Sequence, residues 1–209
     1  MFGLMVGMSK RSGDSTLPDD LLNFPSGGIV VDIGCGPGHQ LRELENRGCR
    51  AVGIDPDHAR VSSATNILRI AVGKGEKLPI KSQSADGVLC KVVLPYTDEA
   101  QVVGEISRVL KAGGTGRLCS HGAGYYLQYL FQGESWKFRV YALRTFVNTW
   151  LYGATGLRMP GFLGDTIYQS VHRLRKYYEL GRLKVMDETN LGTFWGSAVF
   201  IYHSVKKLD

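Results

Sequence analysis

The chain lacks the features of several protein classes. None of its apolar runs approaches the ~20 residues that a helix needs to span a bilayer. Its four cysteines stand far apart without a Cys-x-x-Cys pair, so neither a zinc site nor a disulfide framework is predicted. The first residues, MFGLMVGM, have no basic segment before a long apolar stretch, which argues against a signal peptide. We therefore expect a reduced, cytoplasmic protein.

Positive charge and aromatic side chains are concentrated in the second half of the 209-residue chain. Residues 1–100 contain 11 Lys and Arg against 12 Asp and Glu, whereas residues 101–185 contain 12 against 4. Residues 121–180 contain 14 of the 21 aromatic residues. Two interpretations of this half stay open, a solvated helical face above an aromatic core and a binding surface.

Short apolar runs alternate with helical patterns as far as residue 120. The predicted strands are Gly28–Ile33, Ala51–Ile54, Ile67–Val72, Val88–Val93 and Gly116–Ser120. The predicted helices follow Gly38 with Leu41 and Leu44 on one face, cover Asp57–Thr65, and run from a Thr97 cap to Gly113 and Gly114. This alternation predicts a parallel sheet with helices on both faces.

The pattern changes after residue 120. Apolar residues recur at helical spacing over residues 136–151 and 167–178, and the glycine-rich stretch Tyr152–Gly164 separates them as a predicted loop. Two final strands, Leu183–Met186 and Ser197–Tyr202, are predicted to form an antiparallel hairpin with its turn at Asn190-Leu191-Gly192.

The sharpest motif is a glycine loop after the first strand, Asp32-Ile33-Gly34-Cys35-Gly36-Pro37-Gly38. Glycines allow a tight turn and a close approach of a ligand to the backbone, and the following helix offers free N–H groups. The acidic Asp55 ends the next strand, where it is placed to accept hydrogen bonds from ribose hydroxyls. A dinucleotide motif would continue with a third glycine at position 39, but His39 stands there.

The segments VVDIGCGPG and VGIDPD resemble those of the class I S-adenosylmethionine (SAM)-dependent methyltransferases, in particular a small-molecule branch that includes quinone-biosynthesis enzymes. GEKLPIKSQSADGVLCKVVL and ISRVLKAGGTGRL extend the resemblance over residues 28–120. It implies one Rossmann-like α/β domain over residues 1–209, with a seven-stranded, mostly parallel sheet and an antiparallel last strand. Residues 28–120 would form the SAM-binding core, residues 121–180 a helical cap inserted before the last two strands, and residues 181–209 the terminal hairpin.

The same resemblance implies the roles of individual residues. Asp32 would orient the amino end of SAM, the loop Gly34–Gly38 would pass beneath its methionyl and ribose parts, and Asp55 would hold the ribose. In this family an acidic residue after the third strand usually meets the adenine, but Lys74 occupies that position here, so Gly75 or Glu76 would serve instead. The expected cofactor-binding residues are Asp32, Gly34, Cys35, Gly36, Gly38, Asp55, Pro56, Gly75, Glu76 and Lys91.

Methyl transfer from a sulfonium depends mainly on positioning and on the exclusion of water. A general base is required only when the acceptor must lose a proton. The candidates are Lys91, Tyr96 and His121, which follow the fourth and fifth strands. The other histidines have no acidic or cysteine partner at ligand spacing, so no metal site is predicted.

The expected function is transfer of a methyl group from SAM to a small or lipid-like apolar acceptor, with S-adenosylhomocysteine (SAH) as product. Residues 121–180 are expected to form a mobile lid, with Trp136, Phe146 or Trp150 in the acceptor pocket. Two interpretations of Lys137, Arg139 and Arg144 stay open, contact with an anionic group or lipid surface and a solvated helix face. RNA methylation and a non-catalytic nucleoside-binding module are the alternatives, because the second half is basic and Lys74 alters the family pattern.

Overall fold

The computed structural model describes residues 21–64, 69–159, 161 and 164–209. The strands are β1 (Ile29–Ile33), β2 (Arg50–Asp55), β3 (Ile70–Val72), β4 (Ala85–Lys91), β5 (Leu110–His121), β6 (Leu183–Phe194) and β7 (Ser197–Lys207). The helices are α1 (His39–Asn46), α2 (His58–Ala64), α3 (Glu99–Val109), α4 (Ala123–Gln132), α5 (Trp136–Thr155) and α6 (Val171–Leu180). Within these described ranges, no helix is both long and apolar enough to cross a membrane.

The seven strands form one sheet in the order β3-β2-β1-β4-β5-β7-β6. Strands β1 to β5 are parallel, and β7 runs antiparallel to both of its neighbours. This confirms the predicted Rossmann-like sheet with its reversed last strand. Since the chain moves outward from β1 in both directions, the sheet has its switch point between β1 and β4, where open α/β sheets bind ligands.

Each face of the sheet is covered by its own apolar layer. On one face, Val102 and Ile106 of α3 pack together with Leu174 and Tyr178 of α6. On the other, α1 contributes Leu41 and Leu44. Because α6 lies in this main core and Tyr125 of α4 packs against the other layer, α5 is the helix of residues 121–180 that stands apart from the sheet layers.

Several predicted boundaries in the first half were wrong for local reasons. Strand β4 ends at Lys91, because Val92 adopts a left-handed φ of 58°. Helix α3 is capped by Asp98 rather than Thr97, and the Asp98 side chain accepts the backbone N–H of Gln101. Gly113 and Gly114 do not end that helix but lie inside β5. Thr65 and the first two residues of the predicted third strand fall outside the described residues.

The second half also differs from prediction. Helix α4 was not predicted, and Tyr152–Thr155 is the last turn of α5 rather than loop. The terminal hairpin turns at Trp195-Gly196, not at Gly192, which lies within β6. Both turn residues have positive φ, 49° and 73°, and a two-residue hairpin turn of this kind matches the strand twist. Trp195 gives no sequence signal for such a turn, since tryptophan rarely adopts that conformation.

A buried ion pair joins α3 to α6. The Glu99 carboxylate is fully buried and accepts hydrogen bonds from the Arg173 guanidinium. Arg173 also donates to the carbonyl of Tyr168, at 2.6 Å. Removing the cation from such a pair leaves an uncompensated buried charge, which costs far more than losing an exposed pair.

Arg173→Ala is therefore expected to lower the free energy of unfolding by about 3–5 kcal/mol. Arg175→Ala is the matched control, because its pair with Glu188 lies on the surface and should cost less than about 1 kcal/mol. Urea unfolding followed by circular dichroism measures both variants. Equal losses of unfolding free energy in the two variants would show that the buried charge of Glu99 is not stabilised by Arg173.

Candidate functional site

The glycine loop stands at the carboxyl end of β1, and two of its glycines are required for different reasons. Gly34, Gly36 and Gly38 all have left-handed φ, at 72°, 52° and 82°. A Cβ on Gly34 would lie 2.4 Å from Cγ2 of Val93, so that position has no room for a side chain. A Cβ on Gly36 would meet nothing within 4 Å. The space above Gly36 is thus open for a ligand.

The Asp55 carboxylate holds this loop in place. Its Oδ2 accepts the backbone N–H of Gly36 at 2.9 Å, across the 19 residues noted in the sequence. Its Oδ1 accepts the N–H of Asp57, also at 2.9 Å, and its own carbonyl accepts the N–H of Gly73. Asp55 therefore ties the loops after β1, β2 and β3 together, a structural role beyond the predicted ribose contact.

Asp32 is a buried carboxyl group beside the loop. Burial raises its pKa to about 8, Lys91 opposes the rise, and Asp55 adds to it. Its Oδ2 has no hydrogen-bond partner among the described residues. A buried acceptor without a partner is costly, and a cationic amine would satisfy it. Lys91, half-buried at the end of β4, brings a positive charge to the same site.

Cys35 contributes only its backbone to the loop. Its side chain turns into the core, where its Sγ lies against Gly53, and burial raises the pKa of the thiol to about 12. The side chain is therefore an unreactive packing group, and the predicted contact of Cys35 with the cofactor would come from its backbone.

The loop after β3 is where the family's acid is replaced. Lys74 is exposed. Gly75 is buried, and a Cβ there would lie 3.2 Å from Val102 and 3.3 Å from Ile33. Oε1 of Glu76 accepts the N–H of Asp98 at 3.1 Å, so this carboxylate braces the start of α3. The contacts with adenine expected for Gly75, Glu76 and the exposed Pro56 stay predictions.

A cluster of buried aromatic and polar groups lies at the carboxyl ends of β4 and β5. His121 stacks on Tyr125 with ring centroids 3.6 Å apart and meets Tyr126 edge-on. Burial lowers the pKa of His121 to about 3, so the imidazole is uncharged at neutral pH. Burial also raises the pKa of Tyr96 and Tyr126, so both phenols keep their protons.

A segment that we call the strap, residues 165–169, crosses this cluster. The N–H of Ile167 donates to the carbonyl of Pro95, and the N–H of Gln169 donates to the carbonyl of His121, both at 3.0 Å. The Gln169 side chain is buried, and neither its oxygen nor its nitrogen has a partner among the described residues. Sequence reasoning missed Gln169, because no motif marks a lone amide in a loop.

The predicted site residues thus divide into two groups. The structure brings together Asp32, the glycine loop, Asp55 and Lys91 at the switch point, and it places Tyr96 and His121 at the ends of the neighbouring strands. It does not enclose Trp136 or Trp150, whose side chains are 70% and 71% exposed, so the expectation that they line a pocket was wrong. Phe146 is half-buried against Tyr168. In the described part of the chain, no three His, Cys, Asp or Glu side chains are grouped as metal ligands.

The fold and the glycine loop define a Rossmann-like domain with a binding site for a nucleoside cofactor. Residues 31–117 match the family described as "Methyltransferase domain". An uncharacterized methyltransferase of Mycobacterium tuberculosis is 31% identical over 122 residues, which cover 54% of this chain and 49% of that protein. The chain therefore spans about half the length of the curated relative that it matches.

Two solved structures share the fold. A methyltransferase from Haloferax volcanii, solved with the Trm112 methyltransferase activator, has a TM-score of 0.69 at 20% identity and covers 99% of this chain and 95% of its own. Geranyl diphosphate C-methyltransferase from Streptomyces coelicolor, solved with Mg²⁺, geranyl diphosphate and SAH, has a TM-score of 0.64 at 15% identity, with 90% and 76% covered. Residues 31–117 thus match a methyltransferase domain, for which SAM is the implied cofactor; the quinone-biosynthesis branch stays a prediction.

The residues present fit this cofactor. The open space above Gly36 leaves room for a ligand against the backbone, and the unpartnered Oδ2 of Asp32 is an acceptor for an ammonium group. Gly34 and Asp55 build the loop from beneath, so their main contribution is to keep the backbone in a shape that accepts the ligand.

Replacing two glycines of the same loop separates folding from binding. Gly34→Ala should lower the free energy of unfolding by about 1–3 kcal/mol, since the methyl group would clash with Val93 in a left-handed backbone. Gly36→Ala should cost only about 1–2 kcal/mol yet weaken SAH binding markedly, because its methyl group enters the open space. Thermal unfolding and calorimetric titration with SAH measure the two effects. Unchanged SAH affinity in Gly36→Ala would place the ligand elsewhere.

The raised pKa of Asp32 gives the unliganded protein a pH-dependent stability. Between its ordinary value of 3.8 and about 8, the folded state keeps a proton that the unfolded chain releases. This contribution to stability is therefore lost as pH rises through that window, by at most about 1.4 kcal/mol per pH unit. Asp32→Asn should remove this slope, gain stability relative to wild type at pH 8, and weaken SAH binding. Urea unfolding at pH 5 and pH 8 tests it, and a variant with the wild-type slope would contradict it.

Proposed function

We propose that this protein transfers a methyl group from SAM to a small or lipid-like apolar acceptor that brings its own nucleophile. The observation that carries the proposal is the pairing of the Asp55-braced glycine loop with a largely aromatic cluster at the carboxyl ends of β4 and β5. When bound, SAM supplies an electrophilic methyl group on a sulfonium, and the residues of the chain bind and orient both reactants.

The arrangement favours catalysis by positioning over catalysis by a base. With a pKa near 3, His121 is a weak base, although its Nδ1, which lacks a partner among the described residues, is able to accept a hydrogen bond. The raised pKa of Tyr96 makes its phenol a proton donor rather than a base. An acceptor with an amine or an already ionised oxygen suits such a site better than a neutral alcohol.

Polar groups in the aromatic cluster provide orientation for the acceptor. The side-chain amide of Gln169 and the Nδ1 of His121 are buried beneath the strap, while the rings of Tyr125 and Tyr126 form apolar walls. We assign these four side chains to the acceptor pocket, with Phe146 as a further wall residue. Closure of α4, α5 and the strap over this pocket would exclude water from the reaction.

RNA methylation is the second candidate. Residues 101–185 have an excess of eight positive charges, and the Haloferax neighbour was solved with an activator protein. Against it, aromatic side chains rather than a continuous basic surface occupy the end of the sheet near His121. The acceptor assay below therefore includes RNA, with and without a Trm112-type protein.

Purified protein should release SAH from SAM in the presence of a small prenylated acceptor that brings its own nucleophile, such as a prenylated amine or phenolate, and not with RNA. His121→Phe, which keeps the stacking on Tyr125, should lower kcat less than about tenfold, whereas removal of a general base typically costs 10²–10⁴-fold. Gly36→Ala is the control for a protein that no longer holds the cofactor. Release of SAH with RNA alone, in particular only with the activator, would contradict the apolar acceptor.

A further inference from the structure

Helix α5 exposes a row of apolar residues, while most of its fully buried residues are polar. The buried residues of its inner face are Ala142, Thr145, Asn148 and Thr149. The outward residues Trp136, Val140, Leu143, Val147 and Trp150 are 70%, 49%, 56%, 49% and 71% exposed. We call these five residues the apolar stripe. An apolar face at helical spacing is usually buried, but the structure places this one in solvent.

The strap explains why the inner face is polar. The hydroxyl of Thr149 accepts the N–H of Tyr168 at 3.0 Å, and the Nδ2 of Asn148 donates to the carbonyl of Thr166 at 3.4 Å. These bonds satisfy the backbone of an irregular segment that crosses the end of the sheet. The apolar stripe consequently has no role in holding α5 on the domain.

The stripe is narrow, continuous and aromatic at both ends. At 100° per residue its five members fall within an arc of about 80° and extend over about 21 Å. A second exposed aromatic group is formed by Phe131 and Trp195, which are 49% and 69% exposed and have ring centroids 4.2 Å apart. All three tryptophans of the chain are therefore exposed, and indole rings favour the boundary between water and lipid.

Charge selects the kind of surface that the stripe fits. No Asp or Glu occurs between Glu134 and Asp165, whereas exposed Lys137 and Arg139 lie beside the stripe. In a parallel pair of identical helices, such flanking cations would face one another and repel. An anionic bilayer attracts them instead, and apolar residues flanked by Lys and Arg are the pattern of helices that lie in a membrane interface.

We propose that the apolar stripe of α5 docks the protein on an anionic lipid surface, with α5 parallel to the membrane plane and Trp136 and Trp150 at the headgroup level. The proposal does not depend on the identity of the methyl acceptor. Docking would bring the α4–α5 side of the domain, which lies over the carboxyl end of the sheet, next to the lipid.

The test uses the full chain and vesicles of phosphatidylcholine alone or mixed with phosphatidylglycerol. Tryptophan emission of the lipid-free protein should be that of exposed indoles and should shift to the blue only with the anionic vesicles. Co-sedimentation should show the same selectivity. Binding should weaken about fivefold for each of Lys137→Gln and Arg139→Gln, and should weaken further at high salt.

Charge placed on the stripe should abolish docking without affecting the fold. Leu143→Glu and Val147→Glu should bind anionic vesicles at least tenfold more weakly, whereas Leu180→Glu, on a 75% exposed residue of α6, should bind like wild type. Unchanged SAH binding and thermal unfolding would show that the stripe variants are intact.

Four results would overturn the proposal. The first two are equal binding to neutral and anionic vesicles and equal weakening of binding by Leu180→Glu. The third is blue-shifted emission in the lipid-free monomer, which would mean that another part of the chain covers the stripe. The fourth is a dimer in sedimentation that Leu143→Glu dissociates, which would assign the stripe to a second copy.

Discussion

The hydrogen bond from the Gly36 N–H to the Asp55 carboxylate is the constraint on which the site depends. It fixes a loop of left-handed glycines at the switch point of the sheet. Because the other oxygen of Asp55 holds the turn after β2, and its carbonyl holds the segment after β3, one side chain aligns three loops. The open space above Gly36 and the unpartnered oxygen of Asp32 follow from that alignment. The predicted ribose contact and the stability of the loop thus fall on the same residue.

Polar contacts organise the cap in a comparable way. Helix α5 packs on α4 through aromatic rings, such as Tyr141 against Tyr126. On its other neighbour, the strap, it packs through Thr149 and Asn148, which bond to the strap backbone. The strap in turn is bonded to Pro95 and His121 at the carboxyl ends of the strands. The apolar stripe of α5 consequently faces outward, so the same arrangement that roofs the proposed acceptor pocket creates an exposed apolar surface.

The parts of the molecule that follow from local rules could be predicted from the sequence. Glycine spacing, the acid at the end of β2 and the alternation of strands and helices all reflect short-range chemistry, and the sheet and cofactor loop were predicted from them. The helical spacing of α5 was also visible in the sequence, but the direction of its apolar face was left open, since periodicity identifies an apolar face and not what covers it. Gln169 and the Trp195-Gly196 turn depend on tertiary contacts that leave no mark in the local sequence.

The most direct measurement is a calorimetric titration of the unliganded protein with SAH and, separately, with NAD. A loop built by Gly34, Gly36 and Asp55, with His39 where a dinucleotide motif has glycine, predicts one SAH site per chain and no NAD binding. NAD binding in the absence of SAH binding would contradict the assignment of SAM as the cofactor of this domain.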